Sequence, residues 1–350
     1  MREGVIYALV AAALFGAGTP FAKVLLEDVN PVLLAGLLYA GSGGGLAIVH
    51  VLRISLRQKS ETIAWPLPRD WGWFVAAIVC GGVAAPVLLM LGLASTTAST
   101  ASLLLNLETA FTALLAWFLF QENFDHRIAA GMAAIFAGSV VLSVGPGHVG
   151  GLSQGSLLVA AACLCWAVDN NLTRKVSASD AIVVAGLKGL VAGVVNLTLA
   201  LSLGYQIPSL RLIAQTMSVG FFGYGLSLVL FVLALRQLGT ARTSAYFAIA
   251  PFFGGLLAVL FLGDAVTLQL CTAGALMAAG IWLHLTEQHE HEHAHEAINH
   301  THAHRHDEHH QHAHDFQWDG IEPHSHPHTH DAVVHKHVHF PDVHHRHRHG

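Results

Sequence analysis

The sequence contains ALLAWFLFQE at residues 113–122 and, 142 residues later, GLLAVLFLGD at residues 255–264. Both stretches are apolar runs that end in an acidic residue. The correspondence extends over the whole of Thr97–Glu122 and Gly239–Asp264. Self-similarity at a fixed offset is typical of an internal repeat. The sequence therefore predicts that one structural unit occurs twice.

Other segments correspond at nearly the same spacing. Two pairs are offset by 151 and 150 residues: LFGAGTPFAK (14–23) with CWAVDNNLTR (165–174), and LLAGL (33–37) with VVAGL (183–187). The order of the segments is the same in both copies, and the offsets drift only slightly. We therefore predict two repeats, residues 1–146 and 152–286.

The composition indicates that both repeats lie in a membrane. The chain is 53% hydrophobic and 11% charged, whereas soluble domains carry about 25% charged residues. Apolar runs of about 20 residues, the length of a helix that crosses a bilayer, follow one another from Gly4 to Leu285. The predicted fold is an all-α polytopic membrane protein with ten transmembrane helices. The predicted spans are residues 4–26, 32–53, 71–93, 97–120, 127–145, 154–175, 180–203, 212–235, 240–262 and 267–286.

Each repeat has five spans, so the two must enter the membrane from opposite sides. Inverted repeats of this kind are typical of secondary transporters, whose site lies between the halves near the membrane midplane. Basic residues in the short loops predict cytoplasmic N- and C-termini. Ten lie on the predicted cytoplasmic side and two, Lys23 and Arg211, on the other; the ten are Arg2, Arg53, Arg57, Lys59, Arg69, Arg127, Arg174, Lys175, Arg236 and Arg242. The expected location is the bacterial cytoplasmic (inner) membrane.

Several motifs recur at matching places in the two repeats. The first helix of each carries Phe15-Gly16 or Trp166-Ala167, and the fourth ends in LFQE (119–122) or FLGD (261–264). A small-residue stretch, Thr240 to Ala245, precedes Ala250-Pro251. With these motifs the chain resembles the EamA-type carriers of the drug/metabolite transporter superfamily.

This resemblance covers residues 4–286 and implies ten helices in two inverted repeats. It also implies transport of amino acids, nucleosides, sugars or other metabolites, often as export and without ATP. The sequence lacks a GxxxxGK[ST] nucleotide-binding loop, which agrees with that expectation. The chain departs from the pattern in two places. The first repeat has Glu108-Thr109 where the second has Ala250-Pro251, and Asp264 stands where glutamate is usual.

Three ionisable residues lie well inside predicted spans, namely Glu108, Asp169 and Lys188. Such groups are costly in a membrane and are functional candidates by default. We expect Glu108 or Asp169 to take up a proton or cation. Lys188 would then neutralise one of them or contact a substrate carboxylate. The alternative is an Asp–Lys or Glu–Lys pair that only holds helices together.

Polar and aromatic neighbours complete the candidate substrate and coupling site: Asn106, Asn170, Trp166 and Tyr246. The pattern contains no arrangement of a nucleophile with a base, so we expect no enzyme activity. The expected partners are the lipid bilayer, a small-molecule substrate and transition-metal ions, but no nucleic acid. Homodimerisation is left open.

The chain changes character after residue 286. Of its 27 histidines, 23 follow residue 288, and a segment with so few apolar residues is expected to be disordered. A shift of 35 residues within 287–350 superposes one set of histidines on another, which indicates a tandem duplication. The first set is His289, His291, His293, His295, His300, His302 and His304, and the second is His324, His326, His328, His330, His335, His337 and His339.

Imidazoles at this density favour borderline metals, so we expect the tail to bind Zn, Ni, Co or Cu without requiring any cofactor. The leading hypothesis is a secondary transporter that moves a small organic metabolite across the cytoplasmic membrane by alternating access, as proton-coupled export, and carries a metal-binding regulatory tail. A divalent transition-metal transporter and a membrane metal sensor are the alternatives. Against the metal transporter, the spans contain no cluster of His and Asp with ligand spacing.

Overall fold

The computed structural model describes residues 2–56, 70–120, 126–144, 153–173, 180–238 and 240–286, together with the backbone of four tail segments. The chain divides into two compact units, Met1–Glu287 and Gln288–Gly350. The first unit is helical. Its helices are α1 (Arg2–Leu25), α2 (Pro31–Leu56), α3 (Trp71–Ala77), α4 (Ala85–Ala94), α5 (Ala98–Leu104), α6 (Leu107–Phe120), α7 (His126–Ser143), α8 (Gln154–Thr173), α9 (Ala181–Ser202), α10 (Leu210–Gly220), α11 (Ser227–Leu238), α12 (Thr240–Phe247), α13 (Ala250–Leu257) and α14 (Leu268–Leu285).

These helices build ten apolar segments long enough to cross a membrane, as the sequence predicts. We number them spans 1 to 10: Glu3–Leu25, Pro31–Arg53, Trp71–Ala94, Ala98–Phe118, His126–Ser143, Gln154–Thr173, Ile182–Ser202, Leu210–Ala234, Arg242–Leu262 and Leu268–Leu285. Large apolar side chains such as Phe118, Phe261 and Leu268 lie on the outside, where they would contact lipid. The protein is a multi-pass membrane protein of two inverted five-helix repeats.

Three spans contain a π-helical turn, and two of these turns are related by the repeat. Span 3 has one at Ile78–Ala84 and span 8 has one at Phe221–Leu226, 143 residues later. The third lies at Ala258–Leu262, near the end of span 9. Turns of this kind widen the helix locally and are frequent at functional sites.

Spans 4 and 9 are each broken at corresponding points. Span 4 is interrupted between α5 and α6 at residues 105–106, and span 9 between α12 and α13 at residues 248–249. Pro251 lies just after the second break, in the first turn of α13, where its missing N–H costs nothing. The first break places Glu108 in the first turn of α6, where the helix dipole favours a negative charge.

The spans pack as two three-helix groups and two pairs. Spans 1, 8 and 9 pack on one another and are called bundle A. Spans 3 and 4 both pack on span 6, and these three are called bundle B; the first half of span 4, α5, also packs on spans 9 and 1. Span 2 packs along span 7, and span 5 along span 10. At the crossing of spans 2 and 7, a Cβ on Gly189 would lie 2.9 Å from the backbone of Gly43. Small residues are required here because the backbones approach so closely.

The bundle has two faces, and we call the one where α1 begins the near face and the other the far face. At the near face, the Arg53 guanidinium donates a hydrogen bond to Asp180 at 3.1 Å, joining span 2 to span 7. Burial alone would raise the pKa of Asp180. The backbone N–H groups of Ile182 and Val183 and the Arg53 charge outweigh burial and lower that pKa.

The described segments of the second unit are four strands: β1 (His289–His295), β2 (Ile298–His304), β3 (His324–His330) and β4 (Val333–His339). They pair as two antiparallel two-stranded sheets, β1 with β4 and β2 with β3. The His-x-His pattern has the two-residue period of a strand, and the duplication supplies segments of equal length.

Candidate substrate site

The site is built around the π-helical turn of span 3, where Pro86 removes one possible helical donor for each of two backbone carbonyls. The N–H of Ala85 bonds to the carbonyl of Cys80, five residues back. The next residue is Pro86, which has no N–H to donate to Gly81 or Gly82. Both carbonyls therefore need donors from elsewhere, because unpaired backbone groups are costly in a membrane.

Side chains from three other spans supply those donors. The Gly81 carbonyl accepts hydrogen bonds from the Tyr39 hydroxyl and from the Trp166 indole N–H, each at 2.9 Å. The Gly82 carbonyl accepts one from the Asn196 amide at 3.2 Å. Spans 2, 6 and 7 are thus tied to the same turn of span 3.

An ion pair lies against this turn. Lys188 of span 7 donates a hydrogen bond to Asp169 of span 6, and Asp169 is only 3% exposed. The other carboxylate oxygen of Asp169 accepts a hydrogen bond from the Thr173 hydroxyl at 3.0 Å. The sequence left open whether Lys188 pairs with Asp169 or Glu108, and the structure pairs it with Asp169. Asp169 is buried and Lys188 partly buried, and the pair is hydrogen-bonded, as a charge pair in a low-dielectric region must be.

A second carboxylate lies beside the pair. Glu108 is partly buried at the break of span 4 and accepts a hydrogen bond from the Asn170 amide at 2.8 Å. Asn170 also lies 3.4 Å from the Thr112 hydroxyl. Because Asn170 follows Asp169 directly in the chain, span 6 connects the two carboxylates. Five of the seven predicted site residues therefore come together in one cluster, which we call the polar cluster: Glu108, Asp169, Asn170, Lys188 and Trp166.

Two other predicted site residues are placed differently. Asn106 is buried, donates to the Leu103 carbonyl at 2.9 Å and lies 3.8 Å from the Met277 sulfur, so it stabilises the break in span 4. Tyr246 is partly buried in α12. The ring that packs against Phe15 of span 1 belongs to its neighbour, Phe247.

Among the residues whose side chains the structure describes, no three His, Cys, Asp or Glu groups are close enough to hold a metal ion. The predicted tail ligands are described by their backbone only. Glu122 and Arg174, which belong to the repeat motifs, lie outside the described residues.

The family of the chain follows from a comparison with known proteins. The family model for EamA-like transporters matches it twice, over residues 2–144 and 153–286. The chain belongs to the EamA-like transporter family.

Named relatives are similar over most of their length. An uncharacterized transporter of Methanothermobacter thermautotrophicus is 28% identical over 80% of this chain and 85% of its own. A probable terminal-alkyne amino-acid exporter of Streptantibioticus cattleyicolor is 26% identical over 72% and 87%. A probable amino-acid metabolite efflux pump of Salmonella typhimurium is 24% identical over 81% and 95%.

A crystal structure of another protein supports the same fold. It superposes with a TM-score of 0.58 and 21% sequence identity, covering 80% of this chain and 95% of that one. At that identity the likeness shows the fold alone.

Aromatic rings form a row that leads to the polar cluster of this EamA-like transporter. Phe231 lies 4.8 Å from Phe247, which lies 5.3 Å from Phe15. Phe15 lies 5.9 Å from Tyr224, and Tyr224 lies 6.0 Å from Tyr39, all between ring centroids. The row, which we call the aromatic row, crosses from bundle A to span 2 and ends beside Trp166.

The sequence signal for the π-helical turn is the Gly81-Gly82 pair followed by Pro86. A hydropathy profile does not reveal this signal. Gly81 is also needed for space, because a Cβ there would collide with the Asp169 carboxylate. That collision could be relieved only by moving a buried charge or the turn itself.

We therefore expect Gly81→Ala to reduce transport by at least about five-fold, because overpacking costs about 1–3 kcal/mol and 1.4 kcal/mol is a factor of ten. The same variant should unfold at a lower temperature in detergent. Gly72→Ala in the same span is the matched control, since a Cβ at Gly72 meets nothing within 4 Å. Wild-type transport and melting temperature in Gly81→Ala would contradict the described geometry.

Proposed function

We propose that this protein is a secondary transporter that moves a small organic metabolite across the cytoplasmic membrane by alternating access, with export coupled to protons. The observation that carries the proposal is the buried Asp169–Lys188 pair beside Glu108. A membrane protein that needed only structural stability would gain little from burying these charges. Ionisable residues inside spans mark ion and substrate pathways.

The substrate class that fits best is an amino acid or a related carboxylate. The printed names of two relatives refer to amino-acid export and amino-acid metabolite efflux. Lys188 supplies a cation for a carboxylate, and Glu108 supplies an anion for an amine. The aromatic row supplies an apolar surface for the rest of the molecule, as small-molecule sites generally do.

Proton coupling of an exporter follows from competition for Asp169. When ionised, the Asp169 carboxylate is the charge partner of Lys188 and can also bind the amine of the substrate. A proton bound to Asp169 removes that negative charge and so weakens the binding of the amine. The proton and the substrate therefore occupy the site in turn, and inward movement of protons can drive outward movement of the substrate.

The loop charges support an inner-membrane location with both termini in the cytoplasm, because basic residues concentrate on the cytoplasmic side. In that orientation the near face is cytoplasmic and the far face is external.

Purified protein in proteoliposomes tests the transport function. We expect an imposed pH gradient to drive accumulation of at least one labelled amino acid, and a protonophore to abolish that accumulation. Empty liposomes give the background. Flux of Zn²⁺ or Ni²⁺ without flux of any organic substrate would overturn the proposal and favour the metal transporter.

A second function, metal binding by the tail, is favoured by the strand register. Histidines stand opposite histidines in both sheets: His289–His339, His291–His337, His293–His335, His300–His328, His302–His326 and His304–His324. Residues directly opposite have Cβ atoms about 4.5–5.5 Å apart, and zinc–nitrogen bonds of about 2.0–2.1 Å suit two imidazoles at that separation. Each sheet joins a segment of one tail copy to a segment of the other.

Zinc titration by calorimetry, comparing the full chain with a variant that lacks residues 288–350, tests this function. We expect several zinc ions to bind the full chain and the shortened variant to lose most of that binding. Amino-acid transport in the absence of metal should be equal in the two proteins if the tail is regulatory. Equal zinc binding by both proteins would contradict a metal-binding tail.

A further inference from the structure

Lys23, at the end of span 1, binds the end of span 3. Its ammonium donates hydrogen bonds to the backbone carbonyls of Leu93 at 2.7 Å, Thr96 at 2.8 Å and Ala94 at 3.4 Å. These carbonyls belong to the last residues of α4 and the loop that follows, where a helix leaves its carbonyls unpaired. A cation at a helix C-terminus is also favoured by the helix dipole.

Asp264, just after span 9, binds the beginning of span 4. Its carboxylate accepts a hydrogen bond from the backbone N–H of Ser99 at 2.7 Å, in the first turn of α5. Gly263, in the left-handed conformation at φ 73°, ends span 9 and turns the chain toward this contact. The short loop between Ala94 and Ala98 is therefore held by a cation on one side and an anion on the other.

Both contacts cross between the two bundles at the same face. Lys23 and Asp264 belong to the ends of spans in bundle A, whereas the loop that they hold connects spans 3 and 4 of bundle B. Span 4 also packs on spans 1 and 9 through α5, so the Asp264 contact reinforces that packing and the Lys23 contact extends it to the end of span 3. Alternating access in inverted-repeat carriers moves one group of helices against another. A contact that ties the two groups together at one face keeps that face closed.

We propose that Lys23 and Asp264 form a lock that holds the far face closed and that opens when the site turns to that face. The inference rests on the proposed transport function for its purpose, but the contacts themselves do not require a substrate. Both side chains are only partly buried, so water can replace their partners when the lock opens. A moderate barrier of this kind suits a contact that forms and breaks in every cycle.

The repeat supplies similar residue types at the opposite ends. Lys23 aligns with Arg174 at the offset of 151, and Asp264 aligns with Glu122 at the offset of 142. Both counterparts lie outside the described residues. Their presence in the sequence agrees with a device that each repeat carries at its own face.

Spin-label distances measure the lock directly. Labels on Ala94→Cys and Val266→Cys, with the four native cysteines replaced, report the separation of bundle B from bundle A at the far face. Both positions are exposed. We expect one dominant short distance for the otherwise wild-type protein without substrate. Lys23→Met combined with Asp264→Ala should add a longer distance and raise the open-to-closed ratio at least about ten-fold.

A graded series keeps the test decisive if the double variant folds poorly. Asp264→Asn keeps an acceptor oxygen without its charge and should give an intermediate ratio, whereas Lys23→Arg should match the wild type. Asp28→Asn, an exposed acid at the same face, is the control. An unchanged distance distribution in a folded Lys23→Met or Asp264→Ala variant would overturn the lock. Since no substrate is present, a failure of the transport assay would leave this result intact.

Discussion

Replacing Asp169 with asparagine is expected to reduce transport at least about 100-fold and to lower stability in detergent. The change leaves the partly buried Lys188 ammonium without its carboxylate, and breaking one partner of a buried ion pair costs about 3–5 kcal/mol. A loss of about 2.7 kcal/mol already corresponds to a factor of 100. Lys188→Met should have a similar effect because it leaves the 3%-exposed Asp169 unpaired. Proteoliposome transport and thermal unfolding in detergent measure the two effects.

The double variant Asp169→Asn with Lys188→Met separates a functional ion pair from a structural one. Removing both charges removes the unpaired buried charge, and such replacements are often neutral or stabilising. We therefore expect the double variant to recover the wild-type melting temperature while transport stays abolished. Recovery of transport together with stability would show that the pair only joins spans 6 and 7, and would refute its role in coupling.

Replacing Glu108 with glutamine is expected to abolish pH-driven accumulation while preserving the fold. Glutamine retains an oxygen that can accept the hydrogen bond from the Asn170 amide, so the local geometry needs little adjustment. What is lost is the carboxylate that binds a proton or a substrate amine. We expect accumulation driven by a pH gradient to fall at least about ten-fold, equivalent to 1.4 kcal/mol of lost interaction.

Exchange of substrate across the membrane distinguishes the two roles of Glu108. If the carboxylate serves proton coupling, counterflow between internal and external substrate should persist in Glu108→Gln. If it binds the substrate amine, counterflow should fall with accumulation. The exposed Glu3→Gln is the matched control, and wild-type accumulation in Glu108→Gln would remove this residue from the mechanism.

Hydropathy and repeat spacing were sufficient to predict the architecture. The apolar runs predict all ten spans, since a helix in lipid must satisfy its backbone internally and be long enough to cross. The offsets of 142 to 151 residues predict two five-helix units, and an odd number of spans in each unit requires inversion. Hydropathy and repeat spacing are properties of individual segments, so both can be obtained from the sequence without knowing how the helices pack.

The membership of the polar cluster was predictable only in part. Glu108, Asp169 and Lys188 are conspicuous because ionisable residues are rare inside spans. Asn106 is equally polar, yet it faces Met277 and the broken backbone of its own span. Whether such a residue turns inward or along its own helix depends on the rotation of that helix, which neighbouring helices set.

The metal affinity of the tail stays a prediction from its histidine spacing. Apolar content alone, from which the tail was analysed, does not predict the strands that its described segments form. The His-x-His alternation contains the strand period, but the pairing of β1 with β4 depends on how the two tail copies meet.

The sequence by itself determined that this chain crosses a membrane ten times, that it consists of two inverted halves, and which ionisable residues lie within the spans. Only the tertiary structure decided that Lys188 pairs with Asp169, that Tyr39 and Trp166 bind the carbonyl of Gly81, and that Lys23 and Asp264 hold one loop between them. Hydropathy and repeat spacing depend only on the order of residues along the chain. Partner choice depends on the crossing and rotation of helices that are 19 to 165 residues apart in the chain.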